Sequence, residues 1–404
     1  MSADGPVLIA GAGPAGLCLA VLLAQRGVAV RVLEPAVVPD VHSRAIGLHP
    51  PALDVLDLAG VGGRAVAEGV RIRDGVALSS GREVARIDFG AVSGRHPYVL
   101  ALPQARTVAL LAERLEEVSP GSLVRGRRVT GFSVAGSAGA AGPRDGSGAV
   151  AAVRVRTDGG ADSEAIEGAR RLVGADGVRS AVRGAAGLAF RGRAHPDRYA
   201  MGDFPDGTGF GSTAVLFLHA AGIVESFPLP GGTRRWVVRL RGSEDPASSA
   251  DTARWIAKEV LARTGHSIDP AGCTMTSVFG TRRRSVASMV AGAGLETAGS
   301  VVLVGDAAHE ISPIGGQGIT LGLQDAAAVA ELIGGGTAGP EEWAAFSRNR
   351  LSAARIAGRQ AHLNMALGRP LPASVLAIRN GAMRLALSVP GVRDGVARRF
   401  TMDF

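Results

Sequence analysis

Residues 6–34 constrain the fold more than any other stretch. Pro6-Val-Leu-Ile-Ala10 is a short run of strand formers, followed at once by Gly11-Ala12-Gly13-Pro14-Ala15-Gly16. Apolar residues at helical spacing then run to about Arg26, Gly27 stops them, and a second apolar run from Ala29 ends at Glu34. Strand, glycine-rich turn, helix and strand make a βαβ unit with its two strands parallel. Gly11 permits the tight turn, Gly13 lets backbone approach a pyrophosphate, and Gly16 lets helix and strand pack closely. Glu34, about 20 residues beyond the glycines, can accept both hydroxyls of an adenosine ribose. The unit therefore predicts dinucleotide binding. An acid at Glu34 disfavours a 2′-phosphate, so FAD or NAD outranks NADP as the resident ligand.

A second anchor lies at Val301-Val-Leu-Val-Gly305-Asp306, continuing through Ala-Ala-His309-Glu-Ile-Ser-Pro313-Ile-Gly315-Gly316-Gln317-Gly318-Ile319-Thr320. It reads as a buried parallel strand that delivers an Asp to a glycine-rich loop, then a helix from Gly318 to Ile333. The helix start offers unpaired N–H groups and partial positive charge, which suit an electron-rich ring that becomes anionic, such as a two-electron-reduced flavin. By itself the pattern also describes an ordinary βα turn. A third strand, turn and helix start falls at Arg171-Leu-Val-Gly174-Ala-Asp176-Gly177-Val-Arg179-Ser180. There Asp176 has two readings, a helix cap or a ligand contact.

Composition excludes several classes. The net charge is +8, but Lys258 is the only lysine, and Arg282-Arg283-Arg284 is the one dense basic run, with no aromatic residues interleaved. This predicts compositional bias rather than nucleic-acid binding. Cys18 and Cys273 stand far apart without metal-ligand spacing, which predicts a reducing cytoplasm and no metal site. Residues 7–24 imitate an export or membrane segment, yet Asp4 replaces a basic leader region and glycines interrupt the run. Export and stable membrane association are both rejected.

Between the anchors, an amphipathic helix begins near Pro51, residues 68–100 alternate as antiparallel strands do, and Thr107–Val118 reads as a helix. Strands are expected at 127–134 and 150–157, flanking a Gly/Ala/Ser-rich insert, 135–149, read as a hairpin tip. Residues 185–280 read as a second, antiparallel sheet whose aromatics, Phe204, Phe210, Phe217, Phe227 and Trp236, fill a core. Helices are expected at 341–367 and 372–388, the latter packing on the body of the protein. The fold class is thus α/β: a Rossmann-like parallel-sheet domain interleaved with a mostly antiparallel sheet, followed by C-terminal helices.

The three motifs in this order, Gly11–Gly16 with Glu34, Gly174–Ser180 and Gly305–Ile319, resemble the single-component FAD-dependent aromatic hydroxylases typified by para-hydroxybenzoate hydroxylase. The likeness runs from Val7 to about Ile333. The segments at 43–61 and 102–115 look like those of bacterial polyketide and antibiotic-tailoring hydroxylases. The resemblance implies that Gly11, Gly13, Pro14, Ala15 and Gly16 hold the FAD pyrophosphate and Glu34 the adenosine ribose. It implies Arg44 and Gln104 at the ribityl-phosphate portion, Asp176 in the turn near the nicotinamide approach, and Asp306 at the ribityl chain. Pro313, Gly316, Gly318 and Ile319 would line the flavin ring, with the last two N–H groups near N1 and the C2 carbonyl. Thr320 and Val108 depart from the pattern, standing where many relatives have Asn and an acid. No second GxGxxG unit exists for NADPH or NADH, which would dock transiently, and the chain stops without the thioredoxin-like extension of larger relatives.

The implied activity is monooxygenation of an aromatic or heteroaromatic, polyketide-type metabolite of antibiotic biosynthesis. NAD(P)H would reduce the flavin, O2 would add at C4a, and the hydroperoxide would deliver OH. Alternatives on the same scaffold are epoxidation, Baeyer–Villiger chemistry, a flavin dehydrogenase or reductase, and a non-catalytic flavin protein. A halogenase is disfavoured by the absence of Trp-x-Trp-x-Ile-Pro. No protein nucleophile is needed, so no catalytic residue is assigned. His195, His219 and Tyr199 are candidates to assist ring deprotonation but are read as structural, as is His309. The expected division is 1–67, 101–184 and 281–335 for FAD, 68–100 and 185–280 for substrate, and 336–404 as a helical region. Homo-oligomer formation is left open.

Overall fold

The first apolar run forms the strand Val7–Ala10, buried along its whole length, near the middle of a six-stranded sheet. The computed structural model describes the chain except residues 1–4, 41–44, 92–93, 135–152, 159–163, 243, 245, 292–299, 337 and 403–404. The sheet order is Val290–Ala291, Val301–Leu303, Arg171–Gly174, Val7–Ala10, Val30–Glu34, Leu123–Arg125. All neighbours are parallel except the first pair. The helix Pro14–Ala24 packs against the helices Gln104–Val118 and Gln317–Gly334. Being enclosed on every side, it is apolar on every side, which is why residues 7–24 imitate a membrane segment. No helix among the described residues is long and apolar enough to cross a membrane.

The second sheet has eight strands in the order His309–Glu310, Met275–Ser285, Arg191–Pro205, Thr233–Arg239, Val224–Leu229, Ala214–Phe217, Asp74–Ser79, Arg82–Asp88. Pairing is antiparallel except between Ala214–Phe217 and Asp74–Ser79. Strands 70–72 and 99–101 lie outside this sheet, in a small one of three strands where 99–101 pairs with 70–72 on one side and Gly47–Leu48 on the other. A third small sheet joins Arg128–Val134, Val153–Asp158 and Glu164–Ala169. The insert at 135–149 lies outside the described residues.

The expectation of strands and turns alone across 185–280 needs correcting, because Ser249–Thr264 is a helix. Its apolar residues Ala253, Ile256 and Val260 keep helical spacing, but Arg254, Lys258 and Glu259 break them into short runs. The ends were the readable signal: the Ser248 hydroxyl accepts the Asp251 N–H at 3.1 Å, and Gly265 closes the helix at φ +79°. This helix covers one face of the sheet through Phe204, Val224 and Trp236. The C-terminal helices are Pro340–Leu367 and Ala373–Leu387, joined by an unanticipated third, Pro390–Thr401. Ser248→Ala is expected to lower stability by about 1 kcal/mol in urea denaturation; an unchanged midpoint and slope would show that the cap is not stabilising.

Candidate cofactor site at the carboxyl edge of the parallel sheet

Four adjacent strands of the parallel sheet end in the motif residues: Asp306 follows Val301–Leu303, Asp176 follows Arg171–Gly174, Gly11 follows Val7–Ala10, and Glu34 ends its own strand. From Val7–Ala10 the chain moves to Val30–Glu34 on one side and returns to Arg171–Gly174 on the other. That reversal opens a crevice outside the strand ends, where open α/β sheets bind ligands.

The glycines do separate jobs. Gly11 sits at φ +100°, and a Cβ there would lie 2.5 Å from the Ala175 carbonyl oxygen. A Cβ on Gly16 would stand 2.1 Å from the Gly11 oxygen, so helix and turn can meet only at glycine. A Cβ on Gly13 would meet nothing within 4 Å, leaving its backbone open to a ligand. Glu34 Oε2 accepts the Ala12 N–H at 2.7 Å and Oε1 accepts the Ala36 N–H at 2.9 Å, which fixes the carboxylate at the mouth of the turn.

Asp176 sits at the start of the helix Ala181–Ala185. Oδ2 accepts the N–H groups of Ala181 (2.7 Å) and Val182 (3.2 Å), while Oδ1 is buried with no partner among the described residues. Arg183 ties this turn to the next by donating to the Ala307 carbonyl at 3.0 Å. Asp306 keeps an accessible carboxylate between buried Gly305 and Ala307. It lies in a recess crowded enough that desolvation, against the pull of His309, lifts its pKa above the ordinary range. Gln104 starts its helix, and its N–H donates to Ala45 at 3.1 Å. Arg44 lies outside the described residues.

Residues 305–318 join the two sheets. His309–Glu310 becomes the edge strand of the eight-stranded sheet, fastened by Arg284 Nε to Glu310 at 2.6 Å. Pro313 is exposed, Gly315 and Gly316 adopt φ +99° and +68°, and Gln317 opens the helix. The Gly318 and Ile319 N–H groups thus fall in its unpaired first turn. Gln317 Oε1 and Thr320 Oγ1 are buried without partners among the described residues. Open backbone at Gly13, an accessible acid at Asp306 and these orphaned acceptors fit a long polar ligand lying across the strand ends.

Two supports escaped the sequence reading. Asp325, fully buried in the helix after the loop, accepts from Gly305 N (3.0 Å), His309 Nε2 (2.7 Å) and Arg350 Nε (2.6 Å). Burial opposes charge on both partners, but their pairing prevails, raising the His309 pKa and lowering that of Asp325. His309 is thus a buried member of this hydrogen-bonded network. The second support is His49, whose Nε2–H donates to the Gly315 carbonyl at 2.9 Å. Burial pushes its pKa down to about 4, so it does this as neutral imidazole. Of the other candidates, His195 packs on His362, His219 Nδ1 accepts the Ala221 N–H, and Tyr199 faces the 313–318 loop.

Two features near the surface are not part of this site. A recess of about 770 Å³ beside Ser249, Ala253, Arg254 and Cys273 contains none of the motif residues. Asp54, Asp57 and His96 come within 4.8 Å of one another, but both His96 nitrogens are engaged, by Asp57 and by Tyr98.

The open backbone and the acids along this edge have the form of a dinucleotide site. Residues 4–361 match the family described as FAD binding domain, and the chain belongs to that family. It is 32% identical over 331 residues to 6-methylpretetramide 4-monooxygenase of Streptomyces rimosus, covering 80% of this chain and 55% of that protein. The chain spans less than two thirds of the length of the first curated relatives it matches. The solved anhydrotetracycline hydroxylase of Streptomyces rimosus superposes with TM-score 0.75 at 27% identity, covering 98% of this chain and 76% of the other. The p-nitrophenol 4-monooxygenase of Pseudomonas putida shares the fold at TM-score 0.82 and 23% identity, covering 100% and 99%.

Asp325→Asn is expected to cost about 3–5 kcal/mol by leaving Arg350 and His309 without their counter-charge; chemical denaturation measures it, and a loss below about 1 kcal/mol would contradict the network's role. Gly16→Ala is expected to cost about 1–3 kcal/mol and to weaken FAD retention, because the clash is with backbone. Flavin content of the purified variant checks this, and wild-type content would count against it.

Proposed function

We propose that this chain is an FAD-dependent, NAD(P)H-using monooxygenase that hydroxylates an aromatic or heteroaromatic, polyketide-type ring. The observation that carries the reading is one apolar cluster shared by two elements. Ile314, from the loop before the Gln317–Gly334 helix, packs with Tyr199, Met201, Val237 and Phe279 of the antiparallel sheet. A ring held at that loop would face a water-poor surface broad enough for a planar substrate. Relatives named for 6-methylpretetramide and anhydrotetracycline support the polyketide class.

FAD, when bound, would supply the redox and oxygen chemistry that protein side chains lack, with NADPH or NADH as the source of reducing equivalents. The chain's own residues hold and orient. Gly11, Gly13, Pro14, Ala15 and Gly16 take the pyrophosphate, Glu34 the ribose, and Arg44 and Gln104 the ribityl-phosphate portion. Asp176 serves the turn near the FAD and the nicotinamide approach, and Asp306 holds the ribityl chain. Pro313, Gly316, Gly318 and Ile319 take the ring, with the helix N-terminus stabilising negative charge on it. In this reading 1–67, 101–184 and 281–335 serve FAD, 68–100 and 185–280 serve the substrate, and 336–404 forms a helical flank. The protein works in the cytoplasm, consistent with its unpaired cysteines.

The test is the absorbance spectrum of the purified protein, then NADPH and NADH oxidation under 18O2 with hydroxylated aromatic compounds. Expected are a bound flavin, oxidation accelerated by the aromatic compound, and one 18O atom in the product. Turnover that persists without oxygen would favour a dehydrogenase or reductase. No flavin after FAD is added would overturn the reading.

A further inference from the structure

The sheet face that looks toward the 313–318 loop carries an acid that nothing in the fold uses. Along Val224–Leu229 the side chains alternate. Val224 packs toward the Ser249–Thr264 helix and Ser226 meets Arg234 Nη1 at 3.2 Å, so Glu225 and Phe227 point to the opposite face. There Glu225 stands between Leu216 and Val237 in register, and Val237 pairs in turn with Met201. Its neighbours on this face belong to the cluster that includes Ile314 of the loop and Met365 of the Pro340–Leu367 helix.

Glu225 is only 7% exposed. The other acids on this face have guanidinium partners. Asp203 takes Arg235 at 2.6 and 2.8 Å, and Asp197 takes Arg239 at 3.1 Å and Arg369 at 2.8 Å. Among the described residues no cation or hydrogen-bond donor pairs with Glu225, and burial alone pushes its pKa up to about 7. Nearby, Tyr199 is fully buried, with a hydroxyl that has no partner among the described residues. Its own ionisation is driven up by burial first and then by the Glu225 charge.

A buried hydroxyl without a partner, as in Tyr199, is costly, and an acid as deep as Glu225 with no cation beside it is rarely kept for packing. Both are hydrogen-bonding groups that a planar apolar molecule with a hydroxyl would satisfy.

We propose that Glu225 binds the substrate through a phenolic hydroxyl and serves as its proton acceptor, with the Tyr199 hydroxyl donating to an oxygen on the same edge of the ring. This rests on the monooxygenase reading and names a substrate class within it: a polycyclic aromatic compound with a free phenolic OH close to the carbon that is hydroxylated. As the ring takes on oxygen, the phenolic O–H bond breaks, its proton passes to a Glu225 oxygen, and its electron pair enters the ring. When the ring C–H proton then leaves to solvent, Glu225 returns the proton to the phenolic oxygen. The carboxylate ends as it began.

The charged or titratable groups facing Glu225 from its surroundings are few. The flanking strands supply Tyr199 and the paired Asp197, Asp203, Arg235 and Arg239. The helix Pro340–Leu367 contributes His362, the turn after it Arg369, and the helix Ala373–Leu387 Arg379, which donates to the Leu367 carbonyl. Loop residues 311–319 hold no titratable side chain.

The experiment titrates alizarin, a hydroxylated anthraquinone, and 9,10-anthraquinone, which lacks hydroxyls, into FAD-loaded wild type, Glu225→Gln and Glu225→Leu. Flavin fluorescence reports binding from about pH 5 to about pH 8.5. Wild type should prefer alizarin by about tenfold or more at the upper end, the worth of one charge-assisted hydrogen bond, with the preference falling as pH drops through the Glu225 pKa. Glu225→Gln should flatten that pH dependence, and Glu225→Leu should abolish the preference while still binding anthraquinone.

Thermal unfolding without ligand gives a second readout. Because the folded-state pKa lies above the unfolded value, the folded state holds more protons between them, and stability falls as pH rises through that window. The Tm advantage of Glu225→Gln over wild type should therefore grow from about pH 4.5 to about pH 8. An unchanged alizarin preference and pH profile in Glu225→Gln overturns the proposal. So does a Tm difference that does not vary with pH. If wild type fails to bind FAD or to be reduced by NAD(P)H, the monooxygenase reading itself has failed; normal flavin behaviour with an indifferent Glu225→Gln removes only this inference.

Discussion

The buried carboxylate of Asp325 holds the arrangement together. One group on one helix receives the N–H of Gly305, the ring of His309 and the guanidinium of Arg350. It thereby joins the end of a parallel strand, the edge strand of the antiparallel sheet, the helix Gln317–Gly334 and the helix Pro340–Leu367. A carboxylate removed from water is tolerated only when its charge and lone pairs are answered, and here three donors answer them. The position of Asp306, one residue past Gly305, follows from that bond. So does the direction in which the 313–318 loop leaves the parallel sheet.

The same principle explains the arginine-rich composition. Arg234, Arg235, Arg239 and Arg263 are wholly or largely buried and paired with Asp206, Asp203, Asp197 and Glu259. Much of the chain's positive charge thus serves its own sheet, where the planar guanidinium can bridge neighbouring strands. Against that background an acid left without a cation stands out. Glu225 shares its face with Asp203 and Asp197 but, unlike them, has no arginine partner among the described residues.

The parallel half was readable because its signals are local. Gly11, Gly13 and Gly16 are spaced by the geometry of one turn, and Glu34, Asp176 and Asp306 each end or follow a run of strand formers. The antiparallel half was legible only as a class. Its registers depend on pairing across many residues, and the helix Ser249–Thr264 showed itself only through Ser248 and Gly265. The supports of the site were hidden for the same reason. Asp325 lies 16 residues beyond His309 in an alanine-rich helix, and His49 is 266 residues from the carbonyl it holds. Nothing in a linear pattern separates Glu225, in Val-Glu-Ser-Phe, from the paired acids of the neighbouring strands; only the side chains that three-dimensional packing sets beside each of them do.

A crystal structure of the protein with FAD tests the central claim most directly. The account predicts the adenosine ribose at Glu34, the pyrophosphate over Gly13, the ribityl chain beside Asp306, and the isoalloxazine ring along Pro313, Gly316, Gly318 and Ile319. A ring placed elsewhere, such as in the recess beside Ser249 and Cys273, or a dinucleotide that leaves Glu34 and Asp306 untouched, would contradict it.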